Sequence, residues 1–190
     1  MLRPKPRRGF IKEAHWWADE LRREMGISLS APLCPRTLCS HLEVPVILLS
    51  SLPDLPEKHL LLAQKRGCGF SAAACYEGTR AFILLNDANE RKRQASDIAH
   101  ELAHVLLGHK PLQPFVEGGI RDFSLTDEVE AETLGPILLV SERAALSAFR
   151  LIQQKEHTVS SLAEAWGVTE QVISWRMNAV GASRRVRSAA

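Results

Sequence analysis

No stretch of this 190-residue chain reaches the roughly 18 consecutive apolar residues needed to cross a bilayer. The basic N-terminus also lacks the apolar segment of a signal peptide. Together these absences predict a cytoplasmic protein with no membrane partner. Cysteine is scarce: Cys34, Cys39, Cys68 and Cys75 are separated by four, twenty-eight and six residues, a spacing that matches no common zinc ribbon. In a reducing compartment they are expected as small buried hydrophobes and not as a disulfide framework. Neither sign of charge dominates, with 24 Lys and Arg against 22 Asp and Glu and a formal net charge of +2. The basic residues do gather at the two ends, at Arg3, Lys5, Arg7 and Arg8 and again at Arg184, Arg185 and Arg187. Such tails are read as solvated and disordered, with binding of nucleic acid or an acidic partner as the less favoured alternative.

What the chain does have is the run His100-Glu101-Leu102-Ala103-His104, a His-Glu-x-x-His pattern in a segment that reads as helix. On a helix His100 and His104 are four apart, so both imidazoles leave one face and can share a metal ion with room for a water. Glu101, beside them, can take that water's proton. Ile98, Leu102, Val105 and Leu106 form an apolar stripe at helical spacing, with Ser96-Asp97 as weak start signals and Gly108 as a stop. The helix can therefore be anchored in a core while its histidines look into a cleft. The competing reading is two histidines satisfied by neighbours on a buried helix.

A catalytic zinc normally has three protein ligands and one open position. A third histidine at the metzincin distance would fall on position 110, which is Lys110. His109 lies five residues after His104, roughly 140° round the helix, and is expected to point elsewhere, towards the last carbonyls. The other source is a glutamate from Thr126-Asp127-Glu128-Val129-Glu130-Ala131-Glu132. Glu128 and Glu132 share a face, whereas Glu130 is about 200° from Glu128 and is expected in solvent. Glu128 then binds zinc, and Glu132 accepts a hydrogen bond from a ligand histidine. An acidic first turn capped by Thr126 would explain the same charges without a metal.

With these residues the chain resembles the ImmA/IrrE family of zinc metallopeptidases, named for regulators that respond to phage or DNA damage. The family pairs its His-Glu-x-x-His helix with a later helix of the form Glu-x-x-Ala-Asn-x-x-Ala-Ala/Gly-x-Leu-Leu-Met/Val-Pro. The counterpart here runs from Glu128 to Val140. The resemblance carries the ligand roles onto His100, His104 and Glu128 and the catalytic role onto Glu101. Arg8 to Ala14 resembles the family's opening helix, and Phe70 to Asp87 its hairpin before the zinc helix. Two departures stand out. Glu132 replaces the usual Asn, and Gly135-Pro136 falls where the helix would continue, so a kink or break is expected there, because an interior proline costs about 3 kcal/mol.

A pass along the chain predicts helix over Ile11 to Met25, a short helix over Thr37 to Leu42, and a buried strand over Val46 to Leu49. A hairpin of Phe70 to Tyr76 and Arg80 to Asn86 turns around Glu77-Gly78. Residues 109 to 125 read as a loop flanking the cleft. The fold class is α+β, a zincin-like core with a small twisted sheet. The organisation is an N-terminal helical segment (1–44), the catalytic core (45–143) and a C-terminal helical subdomain with a basic tail (144–190). In that last part Ser161 to Arg176 has helix-turn-helix character about Gly167-Val168-Thr169. Its second helix carries only one cation, Arg176, so a packing or partner-docking role is favoured over DNA reading. Trp166 and Trp175 are expected to pack.

The expected activity is zinc-dependent peptide hydrolysis with Glu101 as general base. Tyr76, His109 and Arg121 are candidates for stabilising the oxyanion. The resemblance implies a protein substrate, a helix-turn-helix repressor, and hence roles in transcription regulation and the stress response. Two other readings stay open: a DNA-binding or antitoxin-like regulator that keeps a zincin fold without useful proteolysis, and a non-proteolytic zinc hydrolase.

Overall fold

In a computed structural model, residues 4–53, 70–110 and 123–187 are described. The first element, α1 (Phe10–Glu24), buries Phe10, Ala14, Ala18 and Leu21, which recur at helical spacing and so form one face. After α2 (Pro35–His41) comes β1 (Val46–Leu48), followed by a single 3-10 turn. The hairpin strands are β2 (Ala72–Glu77) and β3 (Arg80–Leu85), within two residues of the predicted limits. The sheet order is β1-β3-β2, with β1 parallel and β2 antiparallel to β3, so β2 is an edge strand among the described residues.

The motif helix, α3 (Arg91–Leu107), begins five residues before Ser96, the expected start. Arg91 to Ala95 are sound helix formers, and two side chains fix the early turn. Gln94 donates to the carbonyls of Asp87 and Asn89, and Arg93 pairs with Asp97 one turn on at 2.8 Å. The second motif helix, α4 (Leu125–Leu139), is capped by Ser124, whose Oγ accepts from the Asp127 amide; Thr126 lies inside the first turn. α4 is continuous through Pro136, so of the kink or break expected there the break does not occur. The proline is three residues from the helix end, so the hydrogen bond it forgoes, to the Glu132 carbonyl, falls within about the last two turns and leaves the segment around Glu128 regular.

α3 and α4 pack closely because Gly135 has no side chain. A Cβ there would stand 3.2 Å from the backbone of Ala99 and His100. The family-like small residue is thus a contact point between the two helices that carry the motif. α1, α2, β3, α3 and α4 share one core, which includes Phe10, Leu38, Leu85, Ile98, Leu102 and Leu134.

A second core joins α3 and α4 to the C-terminal helices α5 (Glu142–Gln153), α6 (Val159–Trp166) and α7 (Glu170–Ala179), with α8 (Ala182–Arg187) behind them. α6 ends at Gly167, whose φ of 63° makes the tight turn into α7, the helix-turn-helix geometry expected from the sequence.

Two buried arginines meet the carboxyl end of α4. Arg22 of α1 donates to the carbonyls of Leu138 and Leu139 at 2.9 and 3.3 Å, and Arg176 of α7 donates through Nε to that of Val140 at 2.8 Å. Burial pushes both guanidinium groups down to about 10, still charged at neutral pH. Their charge complements the negative pole of the helix and satisfies carbonyls that have no partner within it. Arg7 and Arg185, predicted as solvated tail residues, are also engaged, with Glu13 and Glu130 and with Glu142 respectively. Cys39 is buried as expected, whereas Cys34 is exposed; Cys68 lies outside the described residues. No described helix is long and apolar enough to cross a membrane.

Candidate metal centre

His100 and His104 leave α3 on the face that meets α4, and Glu128 leaves the first turn of α4 opposite them. The two Nε2 atoms are 3.2 Å apart. Glu128 stands 3.4 Å from Nε2 of His100 and 3.7 Å from Nε2 of His104, each through one carboxylate oxygen. Ligand atoms on a tetrahedral divalent ion, with bonds of about 2.0–2.1 Å, lie about 3.4 Å from one another. These three donors therefore fit a metal ion, and they form the one such group among the described residues.

Glu101 stands on the same helix but turns towards the sheet. Its Oε2 accepts a hydrogen bond from the Ala74 amide of β2 at 2.8 Å. Burial pushes its carboxyl up to about 7, an effect that His100 and the Ala74 amide partly offset. A carboxyl that titrates near neutrality suits a group that must take and return a proton.

His104 is fully buried and stacks on Phe123 at 3.8 Å between ring centres, with 19° between planes. Burial, with His100 and His109 adding to it, pushes its pKa down to about 3, so the ring is a neutral ligand. At His100 burial would lower the pKa, but the Glu128 hydrogen bond and the nearby carboxylates of Glu101, Glu128 and Asp97 hold it above the usual histidine value. A metal ion would take the place of the proton these groups favour.

The position of His109 differs from the expectation. α3 stops at Leu107 and Gly108 turns left-handed, so the helical angle count no longer applies to the next residue. The His109 amide does reach a helix carbonyl, that of His104 at 3.0 Å. Its ring, however, folds back so that Nδ1 lies 3.0 Å from Nδ1 of His104. With Nε2 of His104 turned to the ligand cluster, its Nδ1 carries the proton and donates to His109. The Nε2–H of His109 then faces Asp127 at 3.6 Å and Glu130 at 3.7 Å.

Glu130 is therefore buried and not solvated. It does point away from the ligand cluster, but that side of α4 is covered by Arg7, whose amide donates to it at 3.2 Å, and by His109. Glu132 is exposed on the cleft wall one turn beyond Glu128. The contact on the outer nitrogen of His104 comes from His109. Tyr76 is exposed on β2 and is not among the residues lining the cleft; Arg121 lies outside the described residues.

The cleft has a volume of about 760 Å³ and is bounded by Ala72 of β2, by α3 and α4, and by Thr169, Gln171, Val172 and Trp175 of α7. Residues 45–178 match the family model for the IrrE N-terminal-like domain, peptidase family M78. The chain belongs to this family. No curated protein is similar enough to match. Membership of a metallopeptidase family agrees with the three-donor cluster and with a carboxylate beside it.

Sequence reasoning missed Phe123, Asp97 and the α7 residues as parts of this site, and offered His109 as an oxyanion candidate and not as the partner of His104. Gly108, a left-handed helix stop, was the available signal for His109. Asp97 stands one turn before His100, with one carboxylate oxygen held by Arg93 and the other buried without a partner among the described residues.

Proposed function

We propose that the protein is a zinc-dependent endopeptidase that hydrolyses a peptide bond in a specific cytoplasmic protein. The observation that carries this reading is the joint placement of the His100, His104 and Glu128 donors and the Glu101 carboxylate beside an edge strand. The amide of Ala74 points away from β3 and towards Glu101, so the side of β2 that pairs with no described strand runs past the catalytic carboxylate. A substrate segment added to that edge in extended form would bring a scissile carbonyl over the donor cluster.

Zinc held by the three donors would acidify a water and polarise that carbonyl. Glu101 accepts the proton of the attacking water and passes it to the departing amine. The Ala74 amide keeps the carboxylate aimed, and His109 fixes the tautomer of His104 so that Nε2 stays a donor to the metal.

A helix-turn-helix repressor is the proposed substrate. The DNA-reading alternative draws no support from α7, because Arg176, its one cation, is buried under α4 and α5, and its exposed Gln171 and Trp175 line the cleft. The test is metal analysis of the purified chain followed by incubation with the repressor encoded beside it. About one zinc per chain and a metal-dependent cut are expected. Tight sequence-specific DNA binding with no cleavage of that repressor would overturn the reading.

A further inference from the structure

The second helix of the helix-turn-helix forms one wall of the metal cleft, and its largest exposed residue there is Trp175, 43% accessible. An indole left this open on a concave surface is not a core residue. It is nevertheless held in place. The guanidinium carbon of buried Arg176 lies 5.6 Å from the centre of the Trp175 ring, and Arg176 is itself fixed by the Val140 carbonyl at the end of α4. Val172 and Pro136 line the same cleft and add to its apolar surface.

The charge of the cleft limits what can occupy it. Among the described residues, Asp97, Glu101, Glu128 and Glu132 line it with His100, Arg93 is its one Lys or Arg, and Arg93 is paired with Asp97. A nucleic-acid strand would meet carboxylates where it needs cations. A peptide laid along β2 has no such conflict, and a large apolar side chain on it would find the indole already positioned, at little ordering cost.

We infer that Trp175 is a specificity-determining residue: with Val172 and Pro136 it receives a bulky apolar side chain of an extended peptide bound in the metal cleft. The inference rests on the peptidase reading for the peptide's path, and one experiment separates the two.

Zinc-loaded full-length protein carrying Glu101→Gln is presented with a random decapeptide library, and the bound peptides are sequenced. Enrichment of Leu, Met, Phe or Trp at one fixed position is expected. Adding Trp175→Ala should weaken the best peptide about tenfold or more, the loss that follows from leaving a large apolar side chain uncovered, with zinc content unchanged. Trp175→Phe should keep most of the affinity. If Trp175→Ala lowers the melting temperature, tryptophan emission decides the matter in the Glu101→Gln protein: addition of the best peptide should shift it, and in Trp175→Phe the shift should vanish. Equal binding after Trp175→Ala, no shift, small or charged residues at every enriched position, or no bound peptide would overturn the inference. If selected peptides bind through Trp175 but zinc-loaded parental protein leaves them and the repressor uncut, the peptidase reading falls and the apolar pocket stands.

Discussion

His109 holds its Nδ1 3.0 Å from Nδ1 of His104, on the side of that ring opposite the ligand cluster. A line of contacts therefore leads from Arg7 through Glu130 and His109 to His104 of the donor cluster. Every side chain in it after Arg7 is buried, so each member is fixed by its neighbours and not by water.

Replacing His109 by Ala should weaken zinc binding by about 10–100-fold, the usual cost of losing a partner that orients a ligand imidazole. Competition with a chelating dye would measure it. Glu128→Ala, which removes a donor, should cost more than either His109→Ala or Glu130→Ala. Zinc affinity in His109→Ala equal to that of the parent would show that Phe123 stacking alone orients His104.

Gly135→Val should push α4 away from α3, because the contact lies against the backbone of Ala99 and His100, which has no flexible end to move. Overpacking of this kind costs about 1–3 kcal/mol. The same displacement would separate Glu128 from the two histidines, so zinc affinity should fall with the melting temperature. If the melting temperature drops while affinity holds, the two helices move as a unit and the Gly135 contact does not set the ligand spacing.

The three-donor cluster was legible in part from helical spacing: His100 with His104, and Glu128 against Glu130, are questions of angle on a single helix, and His100, His104 and Glu128 do lie together. The choice of Glu128 over Glu132, which share a face, came from the family resemblance. What surrounds them was less legible, since it depends on which element covers each face. Glu130 does turn away from the cluster, but the chain segment at Arg7 covers that side and makes it interior. Pro136 reads as a breaker from propensity, yet its distance from the helix end and the arginines beyond it leave the helix intact. Trp175 reads as a packing residue because helix-turn-helix units usually bury such residues. Its position on the cleft depends on how α7 docks on α4, which no local pattern encodes.

Glu101→Gln should keep zinc and lose hydrolysis by about 10²–10⁴-fold, because an amide accepts the Ala74 hydrogen bond but cannot take a proton. Zinc content and repressor cleavage measured on one preparation would check this. A variant that cuts at the parental rate would remove Glu101 from the mechanism.

The same substitution should change how the metal-free protein responds to pH. Glu101 titrates near 4.5 when unfolded and at about 7 when folded. Between those values the unfolded chain has released the proton and the folded one retains it, so this group's contribution is fully present below pH 4.5 and is lost as pH rises to about 7. The amide introduced by Glu101→Gln does not titrate and has no such dependence. The stability of Glu101→Gln relative to the parent should therefore increase by about 3 kcal/mol from pH 4.5 to 7. Urea unfolding of the two metal-free proteins at several pH values measures the difference directly. With zinc bound the carboxylate sits beside a cation and the gap should shrink. A difference that is flat with pH in the metal-free proteins would mean that Glu101 is already ionised in the fold, and that its readiness as a base does not come from burial.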